Sequence, residues 1–328
     1  MLNFSKLKYF LKSISNIHIQ ASKNNIFLFA TPRGGSTWLM EIIASQPGMK
    51  FFDEPFNIRR DNVKNVNIFS DWSDLMPDSS QKEVIFKHID NLEKNRIRYM
   101  NPPPFRKNHR FFTSRIVYKI HEIEHLVGDI QNELNGKILL LIRHPLANTI
   151  SRHVFPRLTY FLNSDYYKNK YLSNDQIEKI NKIISTGTTL QKGVVSWCFE
   201  NLIILEHAKN KDCVFITYEE LVLNSEKSCR LLQNKLDLPD LQSMLSSVGE
   251  PAMNIMMSNK DTLDIMHDKD NIIKKRKLVT KWKKKVTESD EKAAFEILDL
   301  FNIDIYEVNR YIATEKYLNF TDTSNAFN

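Results

Sequence analysis

A short apolar run, Ile26–Thr31 (IFLFAT), passes without a spacer into Pro32-Arg-Gly-Gly-Ser-Thr-Trp38, and a helical pattern over Thr37–Ser45 begins at once. A β-rich run feeding a glycine-bearing turn and then a helix is a β-loop-α unit, which commits the neighbouring chain to a parallel sheet. Gly34 and Gly35 permit a tight turn, and Ser36 and Thr37 place hydroxyls where the helix begins. The helix's unsatisfied N–H groups and dipole favour an anion at that point. Arg33 adds a permanent positive charge with several donors. On residue chemistry alone, this segment is an anion cradle.

Three further runs read as buried parallel strands: Arg115–Ile120 (RIVYKI), Lys137–Ile142 (KILLLI) and Cys213–Tyr218 (CVFITY). A second strand is expected before Asp53-Glu54, and helical patterns cover Leu146–Val154, Thr189–Lys209, Glu219–Leu236 and Glu288–Phe301. The expectation is an α/β fold with a central parallel β-sheet flanked by helices and ligands at the carboxyl ends of strands. No internal repeat is present. The expected organisation is a basic N-terminal segment over 1–22, a single domain over 23–315 and a tail over 316–328. Residues 55–114 break the rhythm with Asn101-Pro-Pro-Pro104 and one strand candidate, Val84–Lys87. Such an insertion serves either as an acceptor-side lid or as a plain surface excursion.

The chain carries 46 Lys and Arg against 39 Asp and Glu, a net charge of +7. That excess suits an anionic ligand, an acidic glycan, nucleic acid or a membrane surface without choosing among them. Cys198, Cys213 and Cys229 are odd in number and lack metal-ligand spacing, which points to a reducing, cytoplasmic setting and no metal. No run approaches the roughly 18 apolar residues of a membrane span. The N-terminal MLNFSKLKYFLKSISNIHI has no continuous apolar core, so a signal peptide is not expected. A terminal helix packed on the domain is preferred there to an amphipathic helix touching a membrane or partner.

A nucleotide kinase uses the same strand-loop-helix device, with Gly, four residues, then Gly-Lys-Ser/Thr. Aligned on Gly35, this chain has Ala30 at the first glycine and Ser36 at the lysine, which disfavours an ATP or GTP site. The segment PRGGSTWL instead resembles the 5′-phosphosulfate loop of sulfotransferases that use 3′-phosphoadenosine 5′-phosphosulfate (PAPS). The resemblance implies the P-loop NTPase-like sulfotransferase fold, with Arg33, Gly34, Gly35, Ser36, Thr37 and Trp38 around the donor. Arg33 stands where cytosolic members commonly carry lysine.

Two later segments extend the resemblance. Arg143-His-Pro145 ends the run KILLLI, and Ser151 lies in the next helical pattern. An Arg and a Ser so placed can clamp a phosphate, although Arg143 could equally pair with a surface carboxylate. The resemblance implies that they hold the nucleotide's 3′-phosphate. Lys274–Thr287 contains eight cations in fourteen residues, by composition a solvated face or a nucleic-acid patch. It resembles the family's C-terminal signature, with Trp282, Lys283 and Thr287 in register and Val286 at an aromatic position. Lys275 and Arg276 then fall on the two cations reaching the 3′-phosphate, with Lys277 beside them in the donor site, but Lys277 and Thr280 replace glycines. Tyr218-Glu-Glu-Leu221 resembles the family's Tyr-Glu-Asp/Glu-Leu element, which places Tyr218 near the adenine unless it only caps the core.

Sulfuryl transfer needs a base for the nucleophile, in-line attack and neutralisation of the leaving phosphate. Lys119 and His121, two apart on a strand, project the same way and put a cation beside a titratable base. Cytosolic sulfotransferases carry a similar Lys-x-His, and the resemblance implies His121 as base, with Lys119 and Arg33 handling charge. Glu54, in a Glu-Pro element shared with glycan-type members, is the rival base, and His88 is a third candidate. The expected reaction moves a sulfuryl group from PAPS to a hydroxyl or amine of a glycan, glycolipid or small molecule, leaving adenosine 3′,5′-bisphosphate. The alternatives are a P-loop kinase or other phosphotransferase, and a nucleic-acid-binding protein built on Lys274–Lys285. The latter lacks interleaved aromatics and a reader module.

Overall fold

The computed structural model describes residues 16–60, 63, 68–97, 110–210, 212–252 and 271–320. Residues 1–15 of the N-terminal segment, Asn101–Pro104 of the insertion and residues 321–328 of the tail lie outside them. In chain order, β1 (Ile17–His18) and β2 (Ile26–Ala30) lead into helix α1 (Ser36–Ala44) and β3 (Met49–Asp53). Helix α2 (Lys82–Glu93), β4 (Phe112–Thr113), β5 (Arg115–Ile120), α3 (Val127–Glu133) and β6 (Lys137–Ile142) follow. Next come α4 (Pro145–Thr149), α5 (Leu158–Asn163), α6 (Asp165–Tyr171), α7 (Asn174–Thr186), α8 (Thr189–His207) and β7 (Cys213–Thr217). The C-terminal part holds α9 (Tyr218–Leu223), α10 (Ser225–Leu236), α11 (Leu241–Val248), α12 (Ile272–Val279), a 3-10 turn over Lys281–Lys285 and α13 (Glu288–Leu300).

Five strands form one parallel sheet in the order β3-β5-β2-β6-β7, with Ile26 opposite both Val117 and Lys137. Side chains alternate across it, as the two-residue period of a strand requires. Phe27, Phe29, Tyr118, Ile120, Leu140 and Ile142 enter one core with α8 and α13. Ile26, Leu28, Val117, Leu139 and Leu141 enter the other with α1, α9, α10 and α11. Burial on both faces explains why these runs read as continuous apolar stretches rather than alternating ones. The expected α/β architecture with a central parallel sheet is therefore the one observed.

Three local expectations need correction. Val84–Lys87 is part of helix α2, not a strand, because Ile85, His88, Ile89 and Leu92 share one buried helical face. The helix after Arg143 starts with Pro145 at its first turn and stops at Thr149 rather than reaching Val154. The pattern over Glu219–Leu236 is two helices, broken at Asn224 by its non-helical backbone.

The C-terminal signature is anchored by packing. Trp282, 3% exposed, stacks on the His144 ring with centroids 4.4 Å apart and planes 18° apart. His144 is buried and its imidazole is pushed down to about 3, chiefly by burial, so it is a neutral packing ring. Its backbone N–H donates to Glu219 Oε1 at 3.1 Å, and the Tyr306 hydroxyl donates to Oε2 at 2.8 Å. The turn after β6 is thus tied to α9 and to the C-terminal segment. Trp282→Ala is expected to lower unfolding stability by about 3–5 kcal/mol, read from urea denaturation.

Candidate active site

Every strand of the main sheet ends at a candidate residue: β2 at the Thr31 loop, β3 at Glu54, β5 at His121, β6 at Arg143 and β7 at Tyr218. The parallel arrangement brings these carboxyl ends to one edge, and β2 lies between β5 and β6, where the order of strands changes direction.

The loop after β2 has the shape of an anion cradle. Arg33 and Gly35 both take left-handed backbone, at φ 66° and 92°. Right- and left-handed conformations in succession turn backbone N–H groups toward one concavity. A Cβ on Gly35 would lie 2.3 Å from Tyr218 Cδ2, so only glycine lets that ring close against the loop. The Arg143 guanidinium sits 4.4 Å from the centroid of the same ring, and its Nη1 donates to the Arg33 carbonyl at 3.1 Å. Asn148 on α4 donates to Thr31 Oγ1 at 3.0 Å and to the Pro32 carbonyl at 2.9 Å. Arg33, Gly35, Trp38, Arg143 and Tyr218 are therefore gathered, with Trp38 edge-on to Tyr218 at 6.1 Å. Ser36 and Thr37 are the first residues of α1.

Ser151 stands differently from expectation. It lies past the end of α4, and its hydroxyl donates to the Asn148 carbonyl at 2.7 Å. Lys275, Arg276 and Lys277 are on helix α12 rather than a glycine loop, because residue 277 is not a glycine and supports a helical backbone up to Val279. That helix packs on α9, with Val279 in the same core as Leu221 and Val222. Arg276 is half-buried, Lys275 likewise, and Lys277 is exposed. Trp38 Nε1, Arg143 Nε and Arg276 Nε are buried without a hydrogen-bond partner among the described residues.

The catalytic candidates meet at the ends of β3 and β5. Lys119 is 2% exposed, with Nζ 2.9 Å from Glu54 Oε1, paired with Asp53 Oδ1, and donating to Thr37 Oγ1 at 3.0 Å. Burial alone would lower the Lys119 ammonium, but the two carboxylates outweigh it and raise it above its ordinary value. Glu54 takes left-handed backbone, φ 58°, and its N–H donates to the Lys119 carbonyl at 2.9 Å. Its Oε2 accepts from Asn57 Nδ2 at 2.7 Å and from Arg60 Nε at 2.9 Å. Burial pushes the Glu54 carboxyl up, but Lys119, the His121 contact and Arg60 together hold it well below the usual carboxylate range.

His121 Nδ1 bonds to the Ala30 carbonyl, and Nε2 lies 3.3 Å from Glu54 Oε1. A carbonyl only accepts, so Nδ1 donates that bond and Nε2 is the nitrogen that faces Glu54. His121 and Glu54, read as rivals from sequence, are neighbours in one cluster. The adjoining Glu122 carboxyl is pushed up to about 7, first by burial, with His121 opposing and Glu54 adding to the rise. His88 is elsewhere: it packs against Phe56 and Phe69, 5.5 and 5.8 Å away, and burial lowers it to about 4.

Sequence reasoning missed Asp53 and Arg60. Asp53 adjoins Glu54 and was visible as a second carboxylate at a strand end. Arg60 carries no local signal, since its role depends on the chain turning back after Pro55. Among the described residues, no group of three or more His, Cys, Asp or Glu is placed to hold a metal.

A family model described as the sulfotransferase domain matches residues 23–301. The chain belongs to the sulfotransferase family. This sulfotransferase has the family's α/β fold, with the parallel sheet at its centre. Solved structures similar to it include mouse sulfotransferase SULT7A1 complexed with PAP, at 15% identity and TM-score 0.43, covering 91% of this chain and 90% of that one. Another is the sulfotransferase domain of the curacin biosynthetic pathway, at 14% and 0.39, covering 73% and 82%. A third is the sulfotransferase domain of the Synechococcus PCC 7002 olefin synthase, at 13% and 0.41, covering 89% and 100%. No curated protein matches the sequence. None of the described helices is long and apolar enough to cross a membrane.

Because the folded-state Glu54 carboxyl lies below its ordinary 4.5, its contribution to stability is complete above that pH and is lost as pH falls below it. Urea denaturation from about pH 6 to about pH 3 is expected to show a shallower acid limb for Glu54→Gln than for the parent protein.

Proposed function

We propose that this sulfotransferase moves a sulfuryl group from PAPS to an acceptor hydroxyl or amine on a glycan, glycolipid or small molecule, with His121 taking the proton. The observation that carries the reading is the Lys119 ammonium, which joins Thr37 of the anion loop at 3.0 Å to Glu54 of the base cluster at 2.9 Å. One buried cation thereby sets the leaving-group end and the nucleophile end at a short, defined separation.

The residues present fit the donor. Gly35 lets the Tyr218 ring close against the loop, and buried donors on Trp38, Arg143 and Arg276 have no partner among the described residues. In this reading the start of α1, with Arg33, Gly34, Gly35, Ser36 and Thr37, holds the 5′-phosphosulfate. Arg143, Lys275, Arg276 and Lys277 hold the 3′-phosphate, and Tyr218 and Trp38 flank the adenine. Ser151 joins them only by turning its hydroxyl away from Asn148.

When bound, PAPS supplies an activated sulfuryl group, whose bond to the phosphate oxygen breaks as the acceptor oxygen bonds to sulfur. His121, fixed through Nδ1, receives the acceptor proton at Nε2, and the Glu54 carboxylate stabilises the resulting imidazolium. Lys119, Arg33 and the N–H groups of α1 neutralise the negative charge that grows on the departing phosphate. Residues 23–315 act as one domain, with the stretch from 55 on its acceptor side. The three cysteines are free and buried, which supports a reducing, cytoplasmic setting.

Isothermal titration should give binding of adenosine 3′,5′-bisphosphate and none of ATP with Mg²⁺. Arg33→Ala, Arg143→Ala and Arg276→Ala are each expected to weaken the former about tenfold to a hundredfold. Unchanged affinity in all three would remove the donor assignment. His121→Ala is expected to cut turnover about 10²–10⁴-fold while donor affinity stays near that of the parent. If Glu54→Gln is inactive and His121→Ala active, Glu54 is the base.

A further inference from the structure

A groove of about 580 Å³ opens between Arg59, the chain after α4, the end of α7 and the start of α8. Its size is that of a small-molecule site. One wall includes Arg59, whose neighbour Arg60 grips Glu54 Oε2 at 2.8 Å. The lining also includes Phe155 and Pro156, immediately before Arg157. Arg157 Nη1 donates to the Glu122 carbonyl at 2.9 Å, one residue beyond His121. Both segments are thus continuous in the chain with groups that touch or adjoin the His121–Glu54 pair.

The walls are built, not incidental. A Cβ on Gly193 would lie 2.6 Å from Phe155 Cζ, so this ring lies flush against α8 where glycine admits it. The Arg152 guanidinium sits 5.1 Å from the ring centroid, itself held by the buried Glu200 carboxylate at 2.6 and 2.9 Å. Burying that pair fixes Phe155 more firmly than a surface contact would.

The lining chemistry is selective. Val154, Leu158, Leu162 and Ile184 make it apolar, and Arg59, His153 and Lys192 stand around it with no Asp or Glu among the lining residues. None of these three has a carboxylate partner among the described residues. A sugar buried there would lose water from its hydroxyls and meet no carboxylate or side-chain amide in return. An apolar chain or ring loses little, and an anionic end meets uncompensated positive charge.

We propose that this groove binds the non-reacting body of the acceptor, and that this body is an apolar chain or ring bearing an anionic group such as a carboxylate. The inference rests on the sulfuryl-transfer reading for the position of the acceptor hydroxyl, and it narrows the acceptor from glycans in general to anionic amphiphiles.

The test is direct binding to the full chain without nucleotide, with ω-hydroxydodecanoate, the neutral diol of the same chain length and dodecyl maltoside as probes. The hydroxy acid is expected to bind about tenfold tighter than the diol. Arg59→Glu with Lys192→Glu should remove that advantage and leave the diol within about twofold. Val154→Asp, at a half-exposed position, should weaken both. Equal binding of acid and diol, tighter binding of the maltoside, or insensitivity to the double charge reversal would overturn the proposal. Adenosine 3′,5′-bisphosphate is titrated into the same variants. Amphiphile binding without nucleotide binding would refute the donor reading alone, and the converse would refute the groove alone.

Discussion

A lysine ammonium almost without access to water is stable only among opposite charges and lone pairs, since removing it from water costs several kcal/mol. Lys119 meets that demand with Asp53 and Glu54 from the end of β3 and with Thr37 from the start of α1. Three segments that are far apart in sequence must therefore keep fixed relative positions, or the charge is left uncompensated. Arg60 supplies the second cation for the two carboxylates, 3.2 Å from Asp53 and 2.8 Å from Glu54. The left-handed backbone at Glu54 is held in place by the same contacts.

The opposite end of the site is held by ring packing instead of ion pairs. Gly35 admits the Tyr218 ring, Arg143 covers that ring, and His144 stacks on Trp282. This chain of contacts joins the first loop of the sheet to the basic stretch near the C-terminus. Lys277, in place of a glycine, lets that stretch run as helix α12 up to Val279, where Thr280 caps it. Arg276 is then presented from a helix face packed on α9, a stiffer support than a loop.

The groove proposed for the acceptor is connected along the chain to the same cluster. Arg59 and Pro156 of its lining directly adjoin Arg60 and Arg157 in the chain, and both of these arginines are held by ion pairs. The Arg157 guanidinium accompanies Glu124 at 2.5 Å, and both are nearly inaccessible.

The strands, the anion loop and the side chains offered at strand ends were legible from the sequence. Each depends on a few neighbouring residues: an apolar run, two glycines, or a two-residue period between Lys119 and His121. Val84–Lys87 misled because four residues cannot separate a strand from one face of a helix, whereas Ile85, Ile89 and Leu92 together can. Tertiary structure alone decided the partners. Glu54 reaches Lys119 and His121 because β3 lies beside β5, and Lys119 reaches Thr37 because β5 lies beside β2. Strand order is a long-range outcome of packing both sheet faces, and charge pairing follows it. The residue types of the site were thus set by local sequence, while their joining into one cluster was set by the order of the strands.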